Sequence, residues 1–331
     1  MIEIPPVLAI DPEAASLRIE RFLRHEISER MHRRGAVVGV SGGIDSAVTL
    51  ALCVRAFGPE RVLGLRLPER ESSASSLEFA GNLCHRYGVE VLTEDITPVL
   101  DALGVYVKRE AVVHRLFPGF GKGWSYRLRL PDELLDGKRI GFYRIEVRPP
   151  EGHIESLPLS YTDFLTLTAA TNMKQRVRMT VLYHAAESRR YAVAGTTNLT
   201  ESAAGFYVRY GDGGVDVEPI AQLYKTQVFM LAEYLGVPEE IRSRTPSPDT
   251  YSFPVSDAEF YFGASYPEVD TVLSGMSRGS TDEEIAGEAG LPLSRVGRLR
   301  EELEKRETAT VHLREFPPSC PPDWDVKALT A

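Results

Sequence analysis

Apolar side chains recur at helical spacing between residues 13 and 34, at Leu17, Ile19, Phe22, Leu23, Ile27 and Met31, and predict an amphipathic helix. The pattern then breaks. Ala36-Val37-Val38-Gly39-Val40 is a short unbroken apolar run, as a strand buried on both faces requires. The turn SGGIDS follows at 41–46, then a second helix as far as Phe57. Strand patterns over Val62–Leu67 and Val89–Ile96 flank a helical stretch at 74–87. Strands alternating with helices predict a parallel sheet with helices on both faces, so the expected fold class is α/β with a doubly wound sheet.

From 104 to about 160 the periodicity is lost. Glycine, proline and aromatic residues mix with basic ones, and short alternating stretches at Tyr126–Leu130 and Phe142–Val147 predict a small β excursion. This segment reads as an insertion or a lid. Helical periodicity returns at 163–188, with a strand at Tyr191–Ala194 and helices near 222–236 and 266–278. Thr281-Asp282-Glu283-Glu284 has the form of a capping box, and a charged helix follows over about 294–306. The organisation expected is a single domain over 1–331, carrying the 104–160 insertion and a C-terminal helical appendage at 264–331.

The 331 residues are 43% hydrophobic and 26% charged, ordinary for a globular chain. Lys plus Arg number 38 against 47 Asp plus Glu, a net charge of -9. That is a poor balance for a general nucleic-acid binder, whose affinity comes from neutralising phosphates. Thr281 to Glu307 has a helix-turn-helix look, but a DNA reader wants basic, base-reaching side chains and the chain as a whole is acidic. Cys53, Cys84 and Cys320 form neither a disulfide framework nor a zinc pattern. No apolar run reaches the roughly 20 residues of a membrane span. The N-terminus resembles no export signal. A cytoplasmic location is expected.

SGGIDS carries the sharpest chemistry. Gly42 and Gly43 let the backbone turn tightly and approach a ligand. The helix start behind them offers unpaired N–H groups and the positive end of its dipole, and Ser41 and Ser46 add hydroxyls. No Lys-Ser or Lys-Thr follows the second glycine, so this is not a Walker A loop. Asp45 would repel phosphate unless a metal lies between them, and oxygen ligands beside phosphate suit Mg²⁺.

SGGIDS in this place resembles the pyrophosphate loop of the N-type ATP pyrophosphatases, which cleave ATP to AMP and pyrophosphate while adenylating a substrate. NMKQRVRM at 172–179, AGTTNLTES at 194–202 and YGDGGVDVEPIAQLYKTQ at 210–227 resemble, in order and spacing, the pattern of the ammonia-dependent NAD synthetases within that group. The resemblance spans about 14–100 and 163–318. It implies an adenine nucleotide alpha hydrolase-like fold and ATP-dependent amidation of deamido-NAD⁺ through an acyl adenylate.

By that resemblance Asp45 and Glu201 share the magnesium, and Lys225 joins them in catalysis by holding the ATP phosphates. Thr196 and Ser247 contact ATP together with Ser41, Gly42, Gly43 and Ser46. Arg176, Arg209, Asp212, Asp216 and His312 surround the dinucleotide. Lys225 by itself would read as a surface lysine; its place in LYKTQ gives it the role. The resemblance further implies a homodimer, with the 163–188 helix as a contact. The length leaves no room for a glutaminase domain, so free ammonia or a separate glutaminase partner is expected.

Some positions depart from the family pattern. Leu313 stands where a lysine is usual, Arg209 replaces another lysine, and PSPDT at 246–250 replaces a more typical segment. These lie on the acid-substrate side. They leave open a paralogue that amidates a different carboxylate, or compensation by Arg115, Lys122, Arg127 or Arg129 of the insertion.

Overall fold

The computed structural model describes residues 4–131, 143–248 and 250–319. Seven strands are present among them: β1 Ala36–Gly39, β2 Val62–Arg66, β3 Glu90–Thr93, β4 Ser125–Arg129, β5 Arg144–Arg148, β6 Glu155–Pro158 and β7 Ala192–Ala194. Four of them form a parallel sheet in the order β3-β2-β1-β7. The expected α/β fold is thus present, with helices on both faces. Alternating residues of each strand feed two cores. Ala36, Val38, Ala192 and Ala194 pack with Leu23, Leu50 and Leu231, from helices Pro12–Leu23, Ile44–Phe57 and Lys225–Tyr234. Val37, Leu63, Leu65 and Val193 pack on the other side with Leu100, Val105 and Ala185. This period-two division is what turns a continuous apolar run into a doubly covered strand.

The strand order places the switch point between β1 and β7. The chain runs outward from β1 to β2 and β3, then returns to β7 on the opposite side of β1. Open α/β sheets bind ligands beyond the strand ends at such a point, because the loops diverge there and leave a crevice.

Several elements depart from the expectation. The first helix continues from Pro12–Leu23 into a wider π-helical stretch, Arg24–Arg30, and stops before the left-handed His32. Residues 105–116, expected to open an irregular segment, form the helix Val105–Leu116. Its buried face includes Arg109 beside Val105, Val112 and Val113, so a charge interrupts the apolar stripe and hides the period. The excursion that follows is a three-stranded antiparallel sheet, β4-β5-β6. β6 is mostly exposed and polar, which left it without a sequence signal. The start of the second expected strand, Phe142, lies outside the described residues, as do Cys320 and the end of the C-terminal appendage.

Tyr126, Leu128, Ile145 and Val147 pack the small sheet against Val113 and Leu167. The helices Tyr266–Arg278, Asp282–Ala289 and Leu293–Ala309 close on Val269, Val272, Ile285, Leu299 and Leu303. Thr281 caps the second of these as expected, accepting from Glu284 N while Glu284 accepts from Thr281 N. No helix of the described residues is long and apolar enough to cross a membrane.

Candidate active site

The chain leaves β1 through Ser41–Gly43 and enters the helix Ile44–Phe57. Gly42 has φ +80°, and a Cβ there would stand 2.4 Å from the Ser76 carbonyl oxygen, so both conformation and space require glycine. Hydroxyls brace the turn. Ser46 Oγ donates to Gly43 O at 2.9 Å, and Ser41 Oγ accepts from Gly43 N at 3.2 Å. No side chain caps the helix, which leaves its leading N–H groups for a ligand.

β7 ends on the neighbouring side of the crevice. Asn198 caps the short helix Leu199–Ala204 in a capping box with Glu201, accepting from Glu201 N at 3.0 Å. Its Nδ2 also donates to Asp45 Oδ1 at 3.0 Å, tying the two loops together. Lys225 opens the helix Lys225–Tyr234, and its ammonium donates to Asp45 Oδ2 at 2.5 Å and to Glu201 Oε1 at 3.1 Å. A third carboxylate, Asp257, is buried nearby. Its Oδ2 accepts from the Tyr266 hydroxyl at 2.7 Å, while Oδ1 has no hydrogen-bond partner among the described residues.

Three carboxylates thus surround one ammonium. Burial works against the charge of Lys225, but Asp45, Glu201 and Asp257 outweigh it and hold the amine protonated. Desolvation raises Glu201 above the usual carboxylate range, with Lys225 pulling back and Asp45 and Asp257 adding to the rise. Asp257 is raised by burial too. The cluster carries an excess of negative charge that a further cation would relieve.

These groups line a cavity of about 740 Å³. It collects Ser41, Gly43, Ser46, Thr196 and Ser247 beside the charged trio. Arg176, Arg209, Asp212 and His312 also line it, as expected for one site. A smaller cavity of about 240 Å³ adjoins it across Ser41, Thr196 and Ser247, walled by Val40, Leu65 and Met179. Gly42 shapes the turn without lining the larger cavity; its carbonyl accepts from Arg244 Nη1 at 2.9 Å.

Other expected residues have different partners. Asp216 does not line either cavity. It accepts from Val193 N at 2.8 Å and from the Tyr183 hydroxyl at 3.2 Å, which anchors the loop to β7. Arg209 binds the chain itself, donating to His312 O at 2.7 Å and Glu315 O at 2.8 Å, so it fastens the C-terminal segment over the cavity. Asp212 accepts from Val208 N at 2.7 Å, and burial lifts its pKa to about 6.

The insertion cations expected to compensate, Arg115, Lys122, Arg127 and Arg129, are not in the cavity. Arg115 pairs with Asp163, and Arg127 and Arg129 pair with Glu146. Sequence reasoning missed Asn198, Arg244 and Asp257. Asn198 had a signal, since Asn-Leu-Thr-Glu is a capping box. Arg244 and Asp257 had none, because tertiary packing alone brings them to the crevice.

The NAD synthase family model matches residues 16–116 and 139–317. An NH(3)-dependent NAD(+) synthetase of Mesorhizobium japonicum is 42% identical over 311 residues, covering 94% of this chain and 97% of the relative. One from Thermotoga maritima is 43% identical over 285 residues, covering 86% and 93%. An NH3-dependent NAD synthetase structure from Campylobacter jejuni aligns at TM-score 0.62 and 22% identity, over 95% of this chain and all of that one. An NMN synthetase structure from Francisella tularensis aligns at TM-score 0.65 and 22% identity, over 96% and 100%. At that identity the two structures speak for the fold alone. The family model and the curated relatives agree across nearly the whole chain, and the protein belongs to the NAD synthase family.

Proposed function

We propose that the protein makes NAD⁺ by ATP-dependent amidation of deamido-NAD⁺ with ammonia. The observation that carries this reading is the meeting of Asp45, Glu201 and Lys225 beside an uncapped helix start, inside a cavity with a smaller annex walled in part by Val40, Leu65 and Met179. The annex suits the adenine of ATP. The helix start and the Ser41 and Ser46 hydroxyls suit its phosphates. Arg176 and Asp212 in the larger cavity suit the phosphate and ribose groups of the dinucleotide.

In the reaction the nicotinate carboxylate oxygen attacks the α-phosphorus of ATP, and the bond to the bridging oxygen breaks, releasing pyrophosphate. Ammonia then attacks the acyl carbon. The C–O bond breaks, AMP leaves with the electron pair, and the nitrogen gives up a proton. Lys225 would turn from the carboxylates to the departing phosphates. The helix dipole and loop N–H groups would stabilise the same developing charge. Their fixed placement is the main catalytic contribution.

Asp45 and Glu201 also fit a magnesium ion, since both already converge on one cation and offer hard oxygens. Among the described residues no cluster of three His, Cys, Asp or Glu groups could hold a metal. Oxygens of ATP and water would therefore complete the coordination. Bound there, the ion would neutralise pyrophosphate charge. We further read the enzyme as a cytoplasmic homodimer with the helix Tyr161–Arg189 as a contact, its exposed Tyr161 and Leu165 forming part of it. Ammonia enters free or from a separate glutaminase.

The test supplies the purified protein with ATP, Mg²⁺, an ammonium salt and a panel of carboxylic acids. Equal amounts of AMP and NAD⁺ with deamido-NAD⁺ support the reading. AMP formed only with another acid would replace it with the paralogue. Light scattering at micromolar concentration tests the dimer, and a monomer refutes it.

A further inference from the structure

Two cations are sealed inside the protein apart from the Asp45–Lys225–Glu201 cluster. Arg109, on the helix Val105–Leu116, and Lys174, on the helix Tyr161–Arg189, are fully buried. Lys174 donates to Glu69 Oε1 at 2.8 Å and to Glu71, and Arg109 donates to the same Glu71 oxygen. The Tyr106 hydroxyl donates to Glu69 at 2.6 Å. Both cations also reach one backbone acceptor, the carbonyl of Thr250, from Arg109 Nη2 at 3.1 Å and from Lys174 Nζ at 3.2 Å. The guanidinium lies 5.1 Å from the ring centre of Tyr126 on β4 and 5.3 Å from that of Tyr251.

Stability does not account for this arrangement. Burying several charges incurs large desolvation, and well-packed apolar residues would serve a core equally or better. Arg109 Nε, moreover, is buried with no hydrogen-bond partner among the described residues. What the cluster uniquely achieves is a fixed position for Thr250. Ser247, Tyr251 and Asp257, from the chain on either side, line the cavity. The small sheet grips the same stretch. Phe253 N donates to Tyr126 O at 3.1 Å, Tyr126 N to Ser252 Oγ at 3.1 Å, and Arg127 Nη1 to Pro254 O at 2.7 Å.

We propose that Arg109 and Lys174 are positioning residues for the amidation, acting through the Thr250 carbonyl, with the β4-β5-β6 sheet as a bracket that holds the Thr250–Asp257 wall of the cavity in its working geometry. The insertion is on this view a support and not a lid. The inference rests on the function proposed above.

The test compares wild type with the charge-balanced double variant R109M/E71Q and with R109K. Removing both members of the pair leaves no lone buried charge, so the double variant should fold with a Tm close to wild type. Its wall should loosen. Amides of 250–257 should exchange with deuterium at least tenfold faster, and KM for ATP and for deamido-NAD⁺ should rise at least tenfold. R109K keeps the charge but lacks the planar group that lies against the Tyr126 and Tyr251 rings, and should fall between wild type and the double variant. Lower Tm with unchanged KM and unchanged local exchange would make the cluster merely structural and overturn the proposal. Wild-type KM and exchange in both variants would do so too. If the wild type forms no AMP from deamido-NAD⁺, the functional reading fails, while the exchange rates and the ATP dissociation constant by calorimetry still decide the positioning claim. Should the double variant fail to fold, R109K decides it by the same readouts.

Discussion

Lys225 Nζ lies 2.5 Å from Asp45 Oδ2, although the two residues are 180 positions apart and stand in the first turns of different helices at the sheet's crevice. The contact holds the Ser41–Gly43 turn and the start of the Lys225–Tyr234 helix in register. On the proposed reading, a magnesium ion would compete with Lys225 for this pair of carboxylates.

Variants of this trio should therefore separate into two kinds. Asp45→Asn and Glu201→Gln should each lower turnover by orders of magnitude, and raised Mg²⁺ should partly recover them if the lost carboxylate is a metal ligand. Lys225→Met should lower turnover about a hundredfold or more with no recovery by Mg²⁺, since the missing charge faces the phosphates. Initial rates across a magnesium titration check this; wild-type-like turnover in either carboxylate variant removes the metal assignment.

Gly42→Ala places a side chain at φ +80° and drives its Cβ to 2.4 Å from Ser76 O. The left-handed conformation alone costs a non-glycine residue about 1–2 kcal/mol. We expect KM for ATP to rise at least tenfold, with a modest fall in Tm by calorimetry. An unchanged KM would mean that the turn does not meet the phosphates.

Arg209 and Leu313 bear on the acid substrate. Arg209 fastens the 312–315 segment, and Leu313 lines the cavity beside it. Arg209→Ala should release that segment and raise KM for deamido-NAD⁺ about tenfold to a hundredfold, the loss of charge-assisted hydrogen bonds worth about 1.5–3 kcal/mol. KM for ATP should move little. Leu313→Lys adds a cation to the wall and should lower KM for the anionic dinucleotide. Steady-state kinetics with each substrate varied in turn distinguishes these outcomes.

Asp270 makes stability depend on pH. Burial raises its pKa from 3.8 to about 6, against hydrogen bonds from the Thr200 hydroxyl and Thr226 N. Between those values the folded chain keeps a proton that the unfolded chain releases. This group's contribution is thus fully present below about pH 4 and is lost as pH rises through 6. The full span is about 3 kcal/mol. Asp270→Asn should remove this group's share of the decline, leaving one of the same sign and similar size from Asp212 and a further one from the raised Glu201. Chemical denaturation from pH 4 to 7 measures it, and identical slopes in both proteins would refute the assignment.

The sequence by itself determined the parallel sheet and its phosphate turn. Both rest on local signals: an apolar run long enough for a doubly buried strand, then Gly42 where only glycine can turn. The charged trio of Asp45, Glu201 and Lys225 came from the resemblance of the surrounding motifs to the NAD synthetases, since Lys225 by itself reads as a surface lysine. Tertiary structure alone decided which cations line the cavity. Arg127 and Arg129 looked as available as Arg176, yet Glu146 on the neighbouring strand takes both. By resemblance Asp216 belonged around the dinucleotide, yet β7 holds it through Val193 N. Arg109 broke the pattern of its own helix, because its partners Glu71 and Thr250 lie 38 and 141 residues away. A charge's partner is set by chain crossings that no local period records, and so the sequence shows where charge stands but not what answers it.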